Sequence, residues 1–298
     1  MNEHFYYHRQ QQTVAACASV QGFGYWSGQD VRIELRPAPA NSGITFVRED
    51  LNNFHRIPVS AYNRDDVPRR TNIARYGVRV EMVEHVLAAL NAHNVDNCEI
   101  WTNAAEMPGC DGSSIAFVDA IASVGVVQQH LKRACLHIRH KLRVGDDECW
   151  IEAHPHSDPE QCGLNIRYSL DYGTDTVIGQ QNYDMSLSAE TFDSELATAR
   201  TFVLEREANY LRSQGLGLRV STHDLIVFGQ DGPIDNNLRF RDECVRHKTL
   251  DVIGDLALAG CDLAGNIIAH KSGHFLNAEL VKSLLIEHGV HTELARCA

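Results

Sequence analysis

The sequence contains no long apolar run, no closely spaced cysteine pair and no cluster of basic residues. No stretch approaches the roughly 18 consecutive apolar residues of a membrane-spanning helix, so we expect no membrane span. The N-terminal residues lack the basic segment and apolar core of a signal peptide. Nine scattered cysteines without a CxxC pair are typical of a reducing compartment rather than of a disulfide framework. We therefore expect a cytoplasmic protein.

Positive charge is also scarce. The chain has 27 Lys and Arg against 39 Asp and Glu, which gives a net charge of −12 with neutral histidines. This balance argues against an extensive nucleic-acid-binding surface, because such surfaces neutralise phosphates with basic side chains. It leaves open a local basic pocket for a small anionic ligand, and we expect no nucleic-acid partner.

The 298 residues exceed the size of one typical core, and 44% of them are hydrophobic, as in folded globular proteins. Apolar alternation at Val31, Ile33 and Leu35 predicts a strand, whereas apolar spacing over 83–90 predicts a helix. The apolar pattern is lost around residues 128–133, and strands followed by helices then recur. We predict an α+β fold of two similarly built domains, residues 1–130 and 131–298.

A narrow polar stripe interrupts the apolar pattern of the stretch FRDECVRHKTLDVIGD. His247, Asp251 and Asp255 recur there at intervals of four residues, so they lie along one side of a helix. An imidazole and a carboxylate one turn apart can share a metal ion. A lone HxxxD pair more often belongs to a solvated helix face, and this alternative stays open until a third ligand is found.

His85 in the stretch VEHVLAAL is a candidate third ligand, and Glu84 stands beside it. Both could also be ordinary surface residues of a helix. Together with His247 and Asp251, however, they provide two imidazoles, one ligating carboxylate and one free carboxylate. A hydrolytic zinc site needs three protein ligands, an open position for water and a carboxylate that accepts the proton of that water.

Several stretches carry a family resemblance, in order, from about residue 12 to residue 280. They are LRPAPANSGI, MVEHVLAALNAHNVDNCEI, EMPGCDGSS, ARTFVLEREANYLRSQGL, CVRHKTLDVIGDL and KSGHFLN. This set resembles the UDP-3-O-acyl-N-acetylglucosamine deacetylase family. The resemblance implies a zinc amidase of lipid A biosynthesis that acts on a small-molecule UDP-acyl-sugar as a monomer. It also implies that each domain packs its helices on one face of its sheet, with the helices of the two domains facing each other.

The resemblance assigns the metal site and the general base. It implies that His85, His247 and Asp251 bind zinc and that Glu84 is the general base. Two histidines and one carboxylate with open positions also suit ferrous ion. We therefore expect Zn²⁺, with Fe²⁺ as the alternative metal.

Four further catalytic roles follow from the same resemblance. His274 of the KSGH stretch becomes the general acid or electrostatic partner, and Asp255 becomes the residue that orients it. Lys248 and Thr201 assist at the substrate and at the oxyanion. From the sequence alone, Lys248 could equally be a surface lysine, and the glycine before His274 could mark only a turn.

Residues 203–220 match a family insert that forms a hydrophobic passage for the acyl chain. Phe202, Leu211, Leu216 and Leu218 are the candidate lining residues. The alternative is an amphipathic connector between strands. Since no face of this segment can be assigned from the sequence, the preferred acyl length stays open.

Two positions depart from the family pattern. Trp26 stands in GFGYWSG where family members commonly have histidine, and Glu81 stands where a small hydroxyl residue is more usual. These changes leave the metal and proton-transfer residues complete but affect the expected substrate contacts. A related metal amidase with a different acyl-sugar substrate and a non-catalytic metal-binding homologue are therefore the alternatives.

Overall fold

The computed structural model describes residues 5–158 and 161–290. It is a mixed α+β structure, as predicted. The helices are α1 Glu84–Ala92, α2 Ile115–Val124, α3 Ala189–Glu195, α4 Glu205–Ser213, α5 Glu243–Leu256 and α6 His274–Glu287, with short 3₁₀ turns at Ala61–Asn63 and Ala257–Ala259. The strands up to residue 132 are β1 Phe5–Tyr6, β2 Gln10–Val14, β3 Ala18–Phe23, β4 Asp30–Pro37, β5 Ile44–Arg48, β6 His55–Pro58, β7 Arg64–Asp65, β8 Asn72–Arg75, β9 Val78–Val80, β10 Cys98–Thr102 and β11 Val126–Lys132. The later strands are β12 Cys135–His137, β13 Leu142–Gly145, β14 Trp150–His154, β15 Leu164–Asp171, β16 Gln180–Ser186, β17 Phe202–Leu204, β18 Ile226–Phe228 and β19 Asp262–His270.

The first half is built on a five-stranded sheet with the order β3-β4-β10-β5-β6. Its pairs are antiparallel except for β5 and β10, which run parallel. The alternation predicted for β4 is confirmed, because Val31, Ile33 and Leu35 are buried while the intervening side chains are not. The period-two pattern therefore places one face of this strand against the core.

The second half is built on a seven-stranded sheet whose main path is β1-β12-β19-β14-β13, with β15 and β16 attached through β19. The short β1 reaches this sheet from the N-terminal region by pairing with β12. Along one edge of β19 the partner changes from β12 to β15 at Gly265. Gly265 has φ of +153°, and a Cβ there would lie 2.8 Å from the His154 carbonyl oxygen, so only glycine fits this position.

Two helices from the two halves pack against each other between the sheets. A Cβ on Gly254 of α5 would lie 2.1 Å from the carbonyl oxygen of Glu84 in α1, so glycine permits this close crossing. Farther along the pair, Asn91 Nδ2 donates to the Ile253 carbonyl oxygen at 3.0 Å. The crossing at Gly254 brings the first turn of α1 beside the last turn of α5. Among the described residues, none of the helices has the length and apolar character of a membrane span.

The two halves are also joined by partly buried ion pairs around Arg9. Arg9 contacts both Asp96 and Asp262, with Nη2 distances of 2.7 and 2.6 Å, and Arg133 Nε lies 2.9 Å from Asp96. Residue 130 lies inside β11, which pairs with β2. We propose that the division between the halves falls near residue 130. All strands of the five-stranded sheet precede this residue, and all strands of the seven-stranded sheet except the short β1 follow it.

Candidate metal and catalytic site

The first turn of α1 presents Glu84 and His85 to the interior of the molecule. Met82, with φ of +58°, reverses the chain just before the helix, and Val83 N donates to the Thr71 carbonyl oxygen at 3.0 Å. Glu84 Oε2 accepts a hydrogen bond from the backbone N–H of Thr71 at 2.9 Å. One carboxylate oxygen of Glu84 is thereby fixed, and the other remains directed toward the second half.

His85, His247 and Asp251 form one compact cluster. Each offers a ligand atom, and these atoms all lie within 4.8 Å of one another. Asp251 Oδ1 lies 3.4 Å from His247 Nε2 and 3.8 Å from His85 Nε2. All three residues are buried. The alternative of a solvated stripe on α5 is therefore wrong, because the packing of α1 on α5 covers the polar side of the helix.

The protonation of this cluster suits a divalent cation. Burial lowers the pKa of His85 to about 3 and also lowers the pKa of His247, so both imidazoles are neutral. His247 Nδ1 donates to the Ala199 carbonyl oxygen at 3.1 Å, which leaves the lone pair on Nε2. Among the described residues, Asp251 Oδ1 is a buried carboxylate oxygen without a hydrogen-bond partner. These converging lone pairs fit a metal ion, since an unpaired buried carboxylate oxygen is costly unless a cation satisfies it.

Lys248 and Asp251 form an ion pair beside this cluster. Lys248 Nζ lies 2.6 Å from Asp251 Oδ2, on the other oxygen of that carboxylate. Burial raises the pKa of Asp251, but Lys248 and the neighbouring histidines outweigh this effect and hold it below its usual range. Burial likewise lowers the pKa of Lys248, whereas Asp251 raises it, and the net shift is upward. Both side chains are therefore charged near neutral pH.

His274 begins α6 and points toward Glu84. Its Nδ1 lies 2.9 Å from Asp255 Oδ2, and its Nε2 lies 4.0 Å from Glu84 Oε1. Burial lowers the pKa of His274, but the carboxylate of Asp255 outweighs this effect and raises it to about 9. Burial raises the pKa of Glu84 to about 7, against the opposing influence of His274. A cationic acid and a proton acceptor that titrates near neutrality thus face each other.

A cavity of about 600 Å³ is lined by these polar side chains and, elsewhere, by an apolar wall. Glu84, His274, Lys248 and the metal-ligand cluster form its floor, and Thr201 lies at its side. The Thr201 backbone N–H donates to the Gly112 carbonyl oxygen at 2.7 Å. This bond holds the segment that leads into β17.

The apolar wall of the cavity includes Phe202, Leu211 and Leu216. The Phe202 ring contacts the His247 ring edge-on, with centroids 6.4 Å apart. Leu218 does not line the cavity, and 71% of its surface is exposed. The structure therefore brings three of the four candidate passage residues together, because the chain turns outward after Gly217, where φ is +64°.

Comparison with known proteins bears on this site directly. Residues 11–286 match the family model of UDP-3-O-acyl N-acetylglycosamine deacetylase. The UDP-3-O-acyl-N-acetylglucosamine deacetylase of Glaesserella parasuis is 37% identical over 278 residues, which cover 92% of this chain and 90% of the relative. The enzymes of the same name from Pasteurella multocida and Brucella ovis are 37% and 36% identical, over 92% of this chain and 90% and 95% of the relatives.

The chain belongs to the UDP-3-O-acyl-N-acetylglucosamine deacetylase family. The resemblance noted in the sequence is thus confirmed, and with it the expectation of a metal-dependent enzyme. The structure also answers the question raised by the polar stripe of α5. Its residues are not solvated: His247 and Asp251 line the cavity, and Asp255 is fully buried against His274.

The two departures from the family pattern are connected through Arg70, and of the two only Trp26 lines the cavity. The Arg70 guanidinium carbon lies 4.3 Å from the centre of the Trp26 ring, and Arg70 Nη2 donates to Glu81 Oε2 at 2.9 Å. The Trp26 backbone N–H donates to Glu106 Oε1 at 2.8 Å. Trp26 and Glu81 therefore both contact Arg70, and the three side chains form one connected unit.

Several residues that contact or adjoin the catalytic residues without lining the cavity were not predicted from the sequence. Asn277 Nδ2 donates to Asp255 Oδ2 at 2.8 Å, and the Arg200–Glu243 ion pair is buried beside Thr201. Thr71 contacts both Glu84 and Asp255. Asn277 follows His274 by three residues on α6, a helical spacing that could have indicated its proximity. No comparable signal marks Thr71, because its partners are distant in sequence.

Proposed function

We propose that this protein hydrolyses the N-acetyl group of UDP-3-O-acyl-N-acetylglucosamine, giving UDP-3-O-acyl-glucosamine and acetate, as a step of lipid A biosynthesis. The observation that carries this proposal is the convergence of a metal-ligand cluster, a raised-pKa carboxylate and a histidine cation in one cavity. Family membership supports the nucleotide-sugar substrate. An amide is a poor electrophile, so its hydrolysis needs a nucleophile, a stabilised oxyanion and a protonated leaving group at once.

We propose His85, His247 and Asp251 as the metal ligands. A divalent cation bound by them supplies Lewis-acid polarisation and lowers the pKa of water. Zinc is the proposed metal, because neutral imidazoles and one carboxylate are ligands that zinc prefers, and ferrous ion is the alternative. The ligand arrangement supports either ion.

We assign the base to Glu84 and the acid to His274. Glu84 Oε1 takes a proton from the attacking water, while the Thr71 backbone N–H holds Oε2 in place. His274 Nε2 gives a proton to the nitrogen of the sugar as the C–N bond breaks. The Asp255 carboxylate, which accepts from Nδ1, keeps the ring oriented and stabilises the cation before transfer.

Thr201 and Lys248 lie where they can assist the reaction. Thr201 lines the cavity, where its hydroxyl can donate to the developing oxyanion. Lys248 is partly buried, pairs with Asp251 and also lines the cavity, so its positive charge lies close to the reacting carbonyl. Lys248 is therefore more than the surface lysine that the sequence alone allowed.

We propose that the apolar wall receives the acyl chain. Phe202, Leu211 and Leu216 supply this surface, and Leu218 is not part of it. A related acyl-sugar substrate is the second candidate, and the observation that favours it is Trp26, which lines the same cavity and is held by Arg70 and Glu81. The acyl length that this wall accepts can then differ from that of relatives with another residue at position 26.

Seven cysteines of the described residues are free thiols, which supports a reducing compartment; they are Cys17, Cys98, Cys110, Cys135, Cys149, Cys244 and Cys261. Cytoplasmic location and a monomeric state stay predictions. The test of the function is acetate release from the UDP-acyl-sugar by the purified protein, measured before chelation, after chelation and after zinc is restored. We expect activity that chelation abolishes and zinc restores. Stoichiometric metal without acetate release would instead favour a non-catalytic homologue.

A further inference from the structure

Thr71 lies between the base and the residue that orients the acid. It directly precedes β8 and is completely buried. Its backbone N–H donates to Glu84 Oε2 at 2.9 Å, and its Oγ1 lies 2.5 Å from Asp255 Oδ1. One residue therefore contacts two carboxylates that belong to different helices, α1 and α5.

The direction of these bonds is fixed by chemistry. An ionised carboxylate only accepts hydrogen bonds, so the Thr71 hydroxyl uses its single proton toward Asp255. The Thr71 carbonyl oxygen accepts from Val83 N at 3.0 Å, immediately before α1. All three polar groups of Thr71 are thus engaged, and neither its backbone nor its side chain can shift without breaking one of these bonds.

Asp255 depends on this hydroxyl for its orientation. Its Oδ2 accepts from His274 Nδ1 at 2.9 Å and from Asn277 Nδ2 at 2.8 Å. Its Oδ1 accepts from Thr71, and Asp255 is fully buried. Removing the hydroxyl leaves a buried carboxylate oxygen without its donor, which favours rotation of the carboxylate and loosens its bond to His274.

We propose that Thr71 is a positioning residue that couples the orientation of Glu84 and His274. This role rests on the proposed deacetylation, in which these two side chains move protons. Thr71 holds Glu84 directly through its backbone and holds His274 indirectly through Asp255. The hydroxyl can be removed while the backbone bond to Glu84 is retained, so the two parts of the role are separable by substitution.

The test compares Thr71→Val, which removes the hydroxyl at nearly constant volume, with Thr71→Ser, which keeps it. The matched control is Thr102→Val, because Thr102 is also fully buried, donates to the Ala104 carbonyl oxygen at 2.9 Å and does not line the cavity. For Thr71→Val we expect kcat to fall by about 10–100-fold, with KM and bound metal unchanged. Thr71→Ser and Thr102→Val are expected to keep kcat within about threefold of the unmodified protein.

A second readout does not depend on turnover. The Nδ1–H proton of His274, bonded to a carboxylate, is expected to give a downfield proton NMR signal that Thr71→Val shifts or broadens and Thr71→Ser retains. If Thr71→Val does not fold, Thr71→Ala is measured in its place. An unchanged signal with unchanged kcat, or equal losses in the Ser and Val variants, would overturn the positioning role. If the unmodified protein releases no acetate but Thr71→Val still alters the signal, the proposed function fails and the role of Thr71 in orienting His274 stands.

Discussion

His274 Nε2 lies 4.0 Å from Glu84 Oε1, although the two residues come from helices in different halves of the chain. This separation is too long for a direct hydrogen bond, so each group is free to exchange a proton with a substrate or a water. Both pKa values are raised, to about 9 for His274 and about 7 for Glu84, so the histidine holds its proton at a pH where the carboxylate can release one. Such a pair of unlike titratable groups in one cavity indicates acid and base roles.

Asp255→Asn is expected to lower kcat by about 10–100-fold while bound metal stays the same. The substitution removes the negative charge that stabilises the His274 cation, but it leaves His85, His247 and Asp251 in place. Steady-state acetate release and metal analysis on the same preparation provide the measurement. Asp184→Asn is the control, because the Asp184 side chain is exposed on β16. Unchanged kcat in Asp255→Asn would show that Asp255 does not support the acid role of His274.

Glu243→Gln is expected to destabilise the protein by about 3–5 kcal/mol, because it leaves the Arg200 charge without its buried partner. Glu243 is fully buried, and its Oε1 accepts from Arg200 Nε at 2.8 Å. Chemical denaturation measures the free energy of unfolding. The control Asp184→Asn breaks an exposed ion pair with Arg167 and should cost no more than about 1 kcal/mol. Equal losses of unfolding free energy in the two variants would mean that the buried pair stabilises the protein no more than the exposed pair does.

The sequence predicted the helices and the polar stripe better than it predicted their surroundings. Helical spacing over 83–90 anticipated α1, and the HxxxD spacing placed His247 and Asp251 one turn apart. Neither pattern could show that Gly254 lets α1 and α5 approach closely enough to bury that stripe. The approach depends on contacts between residues about 170 positions apart, which local periodicity does not encode.

The passage was the least predictable part of the site. Residues 205–213 form α4 as expected for an amphipathic segment, but the sequence could not assign its face. Leu211 and Leu216 line the cavity whereas Leu218 is exposed, because glycines with positive φ at 215 and 217 redirect the chain. Thr71 was missed for a different reason: its two carboxylate partners lie 13 and 184 positions away.

Gly254→Ala is expected to lower thermal stability and activity together. The added Cβ would lie 2.1 Å from the Glu84 carbonyl oxygen, so α1 and α5 must separate and the first turn of α1 must move. Overpacking of this kind typically costs about 1–3 kcal/mol. Differential scanning calorimetry and acetate release are the measurements. An alanine variant with full stability and activity would show that the helices do not cross as closely as described.

Trp26→Ala is expected to raise KM by about fivefold, equivalent to about 1 kcal/mol of lost apolar contact, with kcat nearly unchanged. Trp26 lines the cavity but touches none of the groups that move protons. Trp150→Ala is the matched control, since Trp150 also packs against an arginine, Arg143 at 4.4 Å, away from the cavity. A fall in kcat with constant KM in Trp26→Ala would contradict a role in substrate binding.

The most direct test of the proposed division of roles measures bound metal and acetate release in two variants of the same cavity floor. Glu84→Gln is expected to keep metal and the bond to the Thr71 backbone but to lose at least about 100-fold in kcat, because the proton acceptor is gone. His247→Ala is expected to lose the metal, and activity with it, because one of three ligands is missing. Equal metal loss in the two variants, or undiminished kcat in Glu84→Gln, would contradict the account.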